Sequence, residues 1–141
     1  MTAEEMWAAS GLTGEYEAWS FGDDADGLAK LVKDGIKTAT CSALCFYEME
    51  DEDLPQAGEY SVIEDAKEDA VCIIQTVKVY TTTFDRVSEQ HVFKEGEGDR
   101  SLDYWRKVHK EFFTEELQEV GLQFDEHMQV VCEEFEVVYP A

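Results

Sequence analysis

The chain has 141 residues, of which 44% are apolar, and its 33 aspartate and glutamate residues outnumber its 11 lysine and arginine residues to give a formal net charge of -22. This length and apolar content predict one domain whose core is large enough to fold without disulfides or a structural metal. The acidic surface repels phosphate. This chain is therefore not expected to belong to the class of proteins that bind long nucleic acids or anionic membranes through their overall charge.

The N-terminal third predicts two helices separated by turns. Thr2 and Glu5 have the form of a capping box, and the apolar residues that follow recur at roughly helical spacing: Met6, Trp7, Tyr16 and Trp19. We therefore predict a first helix that is broken near residues 11–14. Residues 21–26 are turn-like and offer N-caps for a second, short helix. Gly35 follows the apolar side chains of that helix, where a left-handed residue would end it.

The middle and the end of the chain predict strands. Small, hydroxyl and apolar residues alternate over residues 37–47, which favours a strand over an amphipathic helix. Residues 48–56 form an acidic loop. Residues 59–63 and 71–80 are rich in β-branched side chains and predict a hairpin. Residues 130–139 have the same character and predict a closing strand.

The longest predicted helix begins at Ser101, which serves as its N-cap, and ends at Gly121. Its apolar positions recur at spacings of three and four: Leu102, Trp105, His109, Phe112, Phe113, Leu117 and Val120. We expect the aromatic members of this stripe to pack in the core rather than stack on bases. Helices and antiparallel strands that do not alternate in βαβ order indicate an α+β domain, most simply a small barrel with flanking helices.

Two segments are candidates for a functional site, residues 35–40 and residues 95–105. Lys37 follows a turn and lies between small hydroxyl residues, a combination that suits an anion or a carbonyl oxygen. Four of the eleven cations fall in the second segment or just after it and predict a basic wall: Arg100, Arg106, Lys107 and Lys110. The alternative interpretation is that Lys37 is a surface lysine after a helix cap and that residues 95–99 form a solvated glycine-rich connector.

No metal or cofactor is predicted. The four cysteines include no Cys-x-x-Cys pair, and the three histidines stand at no recognisable zinc spacing from them. We expect the cysteines to act as small buried apolar side chains. The first residues are acidic rather than those of a signal peptide, and no apolar run reaches the roughly 20 residues of a membrane span. We therefore expect a cytoplasmic protein without a membrane partner.

The two segments, followed by Trp105, His109 and the pair Phe112 and Phe113, resemble a bacterial ASCH domain protein, a relative of the PUA-like RNA-binding barrels. The resemblance covers nearly the whole chain. It implies a single ASCH domain over residues 1–141, with an α+β fold built as a PUA-like β-barrel with flanking helices. It also implies a cleft beside the helix that ends at Gly35, and a function that involves RNA or modified nucleosides.

The chain departs from the broader ASCH pattern GxKxxExR, because Thr40 and Ser42 stand where the pattern has Glu and Arg. It is more similar to a small branch that includes the 4-acetylcytidine amidohydrolase, whose pattern keeps a lysine, a threonine three residues later and a glutamate. The resemblance assigns these catalytic functions to Lys37, Thr40 and Glu95. Glu97 is the alternative to Glu95.

The chemistry of these residues agrees with that assignment. A threonine hydroxyl needs a neighbouring base to become a nucleophile, and a desolvated lysine can supply one, so Lys37 would activate Thr40. Glu95 would position a water or carry a proton to the leaving amine, and main-chain amides near Gly96 and Gly98 would hold the oxyanion. Residues three apart in a regular strand point to opposite faces, so Lys37 and Thr40 converge only if residues 35–40 are turn-like or bulged.

We expect a cleft that recognises a nucleoside or short RNA, with the catalytic candidates beside a larger set of ligand-binding residues: Gly35, Thr38, Glu97, Gly98, Asp99, Arg100 and Arg106. Amide hydrolysis of an acylated cytidine is the enzyme version of this prediction. The alternatives are a metal-independent ribonuclease, in which Lys37 stabilises phosphorane charge, and a non-catalytic RNA-binding or regulatory module. The acidic surface favours a small ligand over a long duplex. The sequence predicts no oligomeric state.

Overall fold

One curled, five-stranded sheet forms the centre of the molecule in a computed structural model that describes residues 1–140. Its strands are β1 (Glu17–Trp19), β2 (Ala39–Ala43), β3 (Tyr60–Glu64), β4 (Ala70–Thr83) and β5 (Gln129–Tyr139). The strand order is β1-β3-β4-β5-β2. Only the β1–β3 pair is parallel, and the other three pairs in this part of the chain are antiparallel. The predicted α+β class with a barrel-like sheet is confirmed.

Five helices flank the sheet: α1 (Ala3–Ser10), α2 (Ala25–Lys33), α3 (Leu44–Met49), α4 (Glu89–Glu95) and α5 (Leu102–Gln118). The predicted capping box is present, because the side chains of Thr2 and Glu5 each bond the other residue's backbone N–H. The hydroxyl of Ser101 caps α5 as predicted. Gly35 has φ 78° just after α2 and ends that helix. No helix within residues 1–140 is long and apolar enough to cross a membrane.

Some predicted elements were wrong. Residues 37–47 do not form one strand, because β2 ends at Ala43 and α3 begins at Leu44. An apolar run this short does not show whether its periodicity is that of a strand or of a helix. In addition, α3 lacks a side-chain cap that would mark its start. Trp19 lies in β1 rather than in a first helix. The prediction also missed α4, although Ser88 is a regular N-cap for it.

The core lies on both faces of the sheet. On one face, α4 and α5 pack against β2 and β5 through Trp105, Phe113 and Val130, which are at most 2% exposed. This confirms the core role predicted for those two aromatic residues. On the other face, α2 covers a cluster that contains Val32 and Ile74. The predicted burial of the cysteines holds fully for two of the four, since Cys72 and Cys132 are buried while Cys41 and Cys45 are half-buried.

The two candidate segments meet in space. The backbone N–H of Thr38 donates a 2.7 Å hydrogen bond to the carbonyl of Lys94, at the end of α4. Gly96 has φ 71°, and a Cβ built on it would lie 2.5 Å from the carbonyl oxygen of Ile36. Only glycine allows this close approach of two backbones. The order of the elements therefore brings residues 36–38 against residues 94–96.

Candidate functional site

A buried charged group, which we call the Glu95 centre, lies where the two segments meet. Glu95 is 0% exposed. Its Oε2 accepts a 2.7 Å hydrogen bond from Nε1 of Trp105 and lies 2.8 Å from Nε2 of His91. Its Oε1 lies 3.5 Å from Nζ of Lys37 and 3.3 Å from Nε2 of His109. Both oxygens of this carboxylate are therefore fully used by the protein.

Lys37 completes the Glu95 centre and is only 1% exposed. Its Nζ donates to the carbonyl of Ala39 at 2.8 Å and to Oε2 of Glu97 at 3.0 Å, in addition to its pairing with Glu95. The same ammonium lies 5.5 Å from the ring centroid of Phe21. Four oxygen atoms of the protein therefore surround this nitrogen, since the carbonyl of Glu95 also lies within 3.5 Å of it.

The environment of Glu95 keeps its carboxyl ionised. Burial alone would raise the pKa of Glu95, but the charge of Lys37 and hydrogen bonds with His109 and His91 lower the pKa well below its ordinary value. The sequence left open whether Glu95 or Glu97 is the partner of Lys37, and both carboxylates contact its ammonium. The structure brings these three predicted residues together.

Two thiols and an imidazole extend the Glu95 centre towards the sheet. Cys41 and Cys132 are directly paired across β2 and β5. A hydrogen bond with Cys41 lowers the pKa of Cys132 to about 5, and the charge of His91 adds to that effect. Burial lowers the pKa of His91, but hydrogen bonds and charges from Cys132 and Glu95 outweigh it and raise the pKa to about 9. Burial raises the pKa of Cys41. These shifts favour the thiolate form of Cys132 and the imidazolium form of His91.

A cation site at the Glu95 centre is disfavoured by its own lysine. Glu95, Glu97 and His109 each place one potential ligand atom within 4.8 Å of the others. The ammonium of Lys37 already pairs with both carboxylates at that point. Its positive charge repels a metal ion, and a metal would have to displace it.

The other predicted ligand-binding residues fix the backbone around this centre. The hydroxyl of Thr38 donates to the carbonyl of Lys94 at 3.3 Å, and a carboxylate oxygen of Asp99 accepts from the N–H of Ser101 at 2.9 Å. Gly98 has φ 58° and packs so closely on the ring of Tyr104 that a Cβ would overlap it. Gly35 has φ 78° at the end of α2. These residues shape the backbone on both sides of the Glu95 centre.

The predicted basic wall is divided among separate contacts. Arg100 donates to the carbonyl of Ile36 at 3.0 Å, and its guanidinium lies 4.0 Å from the ring centroid of Phe93. Arg106 donates to the carbonyl of Asp85 at 3.2 Å. Arg100 and Phe93 border a shallow hollow of about 590 Å³. The two arginines are therefore engaged at different places and do not form one surface.

A larger cavity of about 1400 Å³, which we call the Thr40 cleft, lies between α3, β1 and the strands β2 to β5. Thr40, Ser42, Thr76 and Glu133 supply polar groups from the sheet. Five aromatic side chains also line it: Tyr16, Trp19, Phe46, Tyr47 and Tyr60. The cleft thus combines flat apolar walls with a polar floor, as small-molecule sites commonly do.

The lining of the Thr40 cleft is strongly acidic. Eight of the residues that line it carry carboxyl groups: Glu15, Glu17, Glu59, Glu116, Glu133 and three within residues 50–53. Among the described residues that line this cleft there is no lysine, arginine or histidine. The charged groups that border the cleft are therefore all acidic.

Glu133 is the most buried carboxyl in the Thr40 cleft, with 9% exposure. Its Oε2 accepts a 2.7 Å hydrogen bond from the hydroxyl of Thr76. Burial raises the pKa of Glu133, and the nearby charges of Glu59 and Glu17 raise it further against the opposing effect of Thr76. Thr40 lies directly opposite Glu133 in the register of β2 and β5. A protonatable carboxyl and a hydroxyl therefore face the same cavity.

Sequence reasoning missed Glu133. The signal that could have identified it is a carboxylate in the middle of the apolar strand β5, where alternation turns every second side chain inward. A charged residue at an inward position is costly unless it has a partner, so it suggests a site. Which of the adjacent Glu133 and Glu134 points inward depends on the strand register.

The structure does not bring Thr40 to Lys37 and Glu95. Thr40 lines the cleft with Glu133, whereas Lys37 and Glu95 do not line it. Within residues 1–140, Thr40 forms no side-chain hydrogen bond with either of them. The reason is the start of β2 at Ala39, which makes residues 39–43 regular and turns neighbouring side chains to alternate faces.

Comparisons with known proteins agree with this architecture. The sequence matches the family model of the ASCH domain over residues 17–139. The chain is similar to the ASCH domain from Lactobacillus crispatus JV V101, with a TM-score of 0.91 and 32% identity over 96% of this chain and 93% of that one. It is also similar to a protein from Enterococcus faecalis V583, with a TM-score of 0.83 and 38% identity over 95% of this chain and 86% of that one.

A third solved structure, of a hypothetical protein, is 17% identical and has a TM-score of 0.59, with 87% of this chain and 99% of that chain covered. At that identity the likeness concerns the fold alone. No curated protein matches the sequence.

Proposed function

Because this chain belongs to the ASCH domain family, we propose that it binds a single modified nucleoside, rather than a nucleic-acid chain, in the Thr40 cleft. One observation carries this proposal. The cleft has five aromatic side chains and eight carboxyl groups but no cationic side chain among its described lining residues. Aromatic rings suit a nucleobase, and carboxylates oppose the phosphates of RNA.

The size of the cleft supports a small ligand. Its volume of about 1400 Å³ exceeds the roughly 300–1,000 Å³ that is usual for small-molecule sites, so a nucleoside fits with accompanying water. Stacking of one base on an aromatic side chain contributes about 1–3 kcal/mol in proteins that bind single strands. Tyr16, Trp19 and Tyr60 are aromatic lining residues that could serve this purpose.

The floor of the cleft offers hydrogen bonds that could read a base edge. Thr40 and Ser42 supply hydroxyl groups, and the hydroxyl of Ser42 lies 3.0 Å from that of Tyr47. Glu133 can donate a hydrogen bond when it is protonated and accept one when it is not, and burial raises its pKa towards the protonated form. Such groups can distinguish the donor and acceptor pattern of one base from another.

The phosphate-binding alternatives receive less support from the same geometry. A ribonuclease that used Lys37 to stabilise a phosphorane would need phosphate contact with its Nζ. That atom is enclosed by Glu95, Glu97 and Ala39, and the side chain is 1% exposed. A phosphate would have to enter between two carboxylates, and they would repel it.

Isothermal titration calorimetry with N4-acetylcytidine, cytidine and cytidine 5′-monophosphate tests the proposal. We expect the nucleosides to bind and the added phosphate to weaken binding by about tenfold or more. Thr40→Ala should lower nucleoside affinity by about 2- to 13-fold through the loss of one hydrogen bond, whereas the matched variant Thr38→Ala should not. Tighter binding of the monophosphate or of a short RNA would contradict the proposal.

Amide hydrolysis of an acylated cytidine is a second candidate, favoured by the position of Thr40 directly opposite Glu133. Here Glu133, and not Lys37, would take the hydroxyl proton of Thr40 as its oxygen bonds to the acyl carbon. The same proton would pass to the departing amine nitrogen of cytidine, and water would then release the acid and restore Thr40.

Mass-spectrometric detection of cytidine and acetate from N4-acetylcytidine tests this step. We expect Thr40→Ala to remove turnover and Thr40→Ser to keep part of it. Glu133→Gln should be as damaging as Thr40→Ala, while Glu97→Gln should leave turnover close to wild type. If Glu97→Gln reduced turnover more than Glu133→Gln did, the general base would instead lie in the Glu95 centre.

A further inference from the structure

The acidity of the Thr40 cleft bears on which nucleosides can bind there. We infer that this cleft selects nucleosides whose base carries a fixed positive charge, such as bases methylated on a ring nitrogen. The inference rests on the proposed function and adds the class of ligand to it. It comes from three features of the cleft, namely its charge, its aromatic walls and the free oxygen of its most buried carboxylate.

Charge is the first feature. Eight carboxyl groups line the cleft, and its described lining residues include no cation. A neutral nucleoside gains nothing from this field, whereas a cationic base is attracted by it. The field also favours the cationic base over the many anionic nucleotides of a cell.

The aromatic walls are the second feature, because they are held in place before any ligand binds. The ring of Tyr16 stacks on Trp7 with centroids 4.6 Å apart, and Tyr60 meets Trp7 edge-on at 5.4 Å. Trp19 is fixed by an edge contact with Phe21 at 5.0 Å. A flat cation gains both stacking and cation–π attraction from such rings. An aliphatic amine would gain the charge term alone.

The third feature is an oxygen that the protein leaves available. Glu133 is nine-tenths buried and lines the cleft, and its Oε2 is occupied by the hydroxyl of Thr76. Within residues 1–140, its Oε1 accepts no side-chain or backbone hydrogen bond. Methylation of a purine or pyrimidine ring nitrogen leaves exocyclic N–H groups that are more strongly polarised by the positive charge. Oε1 of Glu133 is suited to accept from such a group.

Pairs of nucleosides that differ mainly in charge test the inference: 7-methylguanosine against guanosine, and 3-methylcytidine against cytidine. Calorimetry at pH 6, where both methylated nucleosides are cations, and at low salt should show the charged member binding on the order of tenfold tighter in each pair. The ratio should fall as salt is added, because screening weakens the attraction. Choline, which has one positive charge but no base, should bind more weakly than 7-methylguanosine.

Variants locate the effect in the cleft. Glu133→Gln should reduce the ratio between charged and neutral nucleosides, and so should Glu17→Gln, which changes an exposed residue of the lining and does not endanger folding. Glu111→Gln, on the exposed surface of α5 and outside the cleft, should keep the wild-type ratio.

Failure of the inference and failure of the proposed function give different results in these experiments. Equal affinity for the charged and neutral members of each pair would overturn the inference and leave the proposed function standing. Absence of binding by every nucleoside would overturn both. Equal binding of choline and 7-methylguanosine would also overturn the inference, because the site would then recognise charge without a base.

Discussion

The hydroxyl of Thr76 donates a 2.7 Å hydrogen bond to Oε2 of Glu133 on the floor of the Thr40 cleft. Lys37, the residue around which the sequence predicted a site, does not line this cleft and instead lies in the Glu95 centre. The Glu95 centre and the Thr40 cleft have different roles. The Glu95 centre joins residues 36–38 to residues 94–97, and the Thr40 cleft presents groups to a ligand.

Replacing Lys37 by methionine should destabilise the protein strongly. The change keeps most of the side-chain volume but removes the ammonium that pairs with Glu95 and Glu97, and breaking a comparable buried pair costs about 3–5 kcal/mol. Urea unfolding measures the loss. Lys30→Met is the matched control, because Lys30 is 76% exposed in its pair with Asp34 and should contribute less than about 1 kcal/mol. Equal stability of the two variants would show that Lys37 has no structural role.

Gly96→Ala should be more destabilising than Gly11→Ala. Both glycines have similar positive φ angles, 71° and 76°, so both substitutions carry the same backbone strain. A Cβ at Gly96 would also lie 2.5 Å from the carbonyl oxygen of Ile36, whereas one at Gly11 has no atom within 4 Å. We expect Gly96→Ala to cost about 1–3 kcal/mol more in urea unfolding. A difference near zero would mean that the two segments can separate without loss.

Glu133→Gln should stabilise the protein at neutral pH but not at acidic pH. Burial raises the pKa of Glu133 above its ordinary value, so the folded state favours the protonated carboxyl. Its contribution is present below the ordinary pKa and is lost as pH rises through the folded pKa. The stability difference between Glu133→Gln and wild type should therefore grow from pH 4 to pH 7. Glu136→Gln, at an exposed position of β5, should show no such trend.

His91 should titrate well above an ordinary histidine. Burial lowers its pKa, but Cys132 on β5 and Glu95 on α4 raise it overall to about 9. Imidazole resonances followed by NMR from pH 5 to pH 10 measure this value directly. Cys132→Ser should bring the pKa of His91 down, because it removes the thiolate that faces it. A wild-type value at or below 6.5 would contradict the charge distribution described here.

Helix ends and the family resemblance could be read from the sequence because their signals are local. Thr2, Ser101 and Gly35 each act through bonds or dihedral angles of their own segment. The contact between residues 36–38 and residues 94–96 also agrees with the resemblance, which placed these two segments beside one cleft. These features require no knowledge of strand register.

The candidate site could be predicted only in part, because side-chain direction in a strand depends on where the strand begins. A start at Ala39 turns Thr40 towards Glu133 and away from the residues that Lys37 contacts. The sequence alone did not identify Glu133, because only the register of β5 determines that its side chain points inward. The acidic cleft arises from carboxylates distant in sequence, which no local pattern connects.

Chemical-shift mapping by NMR during titration with N4-acetylcytidine tests directly whether the nucleoside binds in the Thr40 cleft. We predict that the backbone amide shifts concentrate at Thr40, Ser42, Thr76 and Glu133, with little change at residues 96–100. We also predict that cytidine 5′-monophosphate produces smaller shifts at the same positions. Shifts centred on residues 96–100, or larger shifts with the phosphorylated ligand, would contradict the assignment of the Thr40 cleft as the binding site.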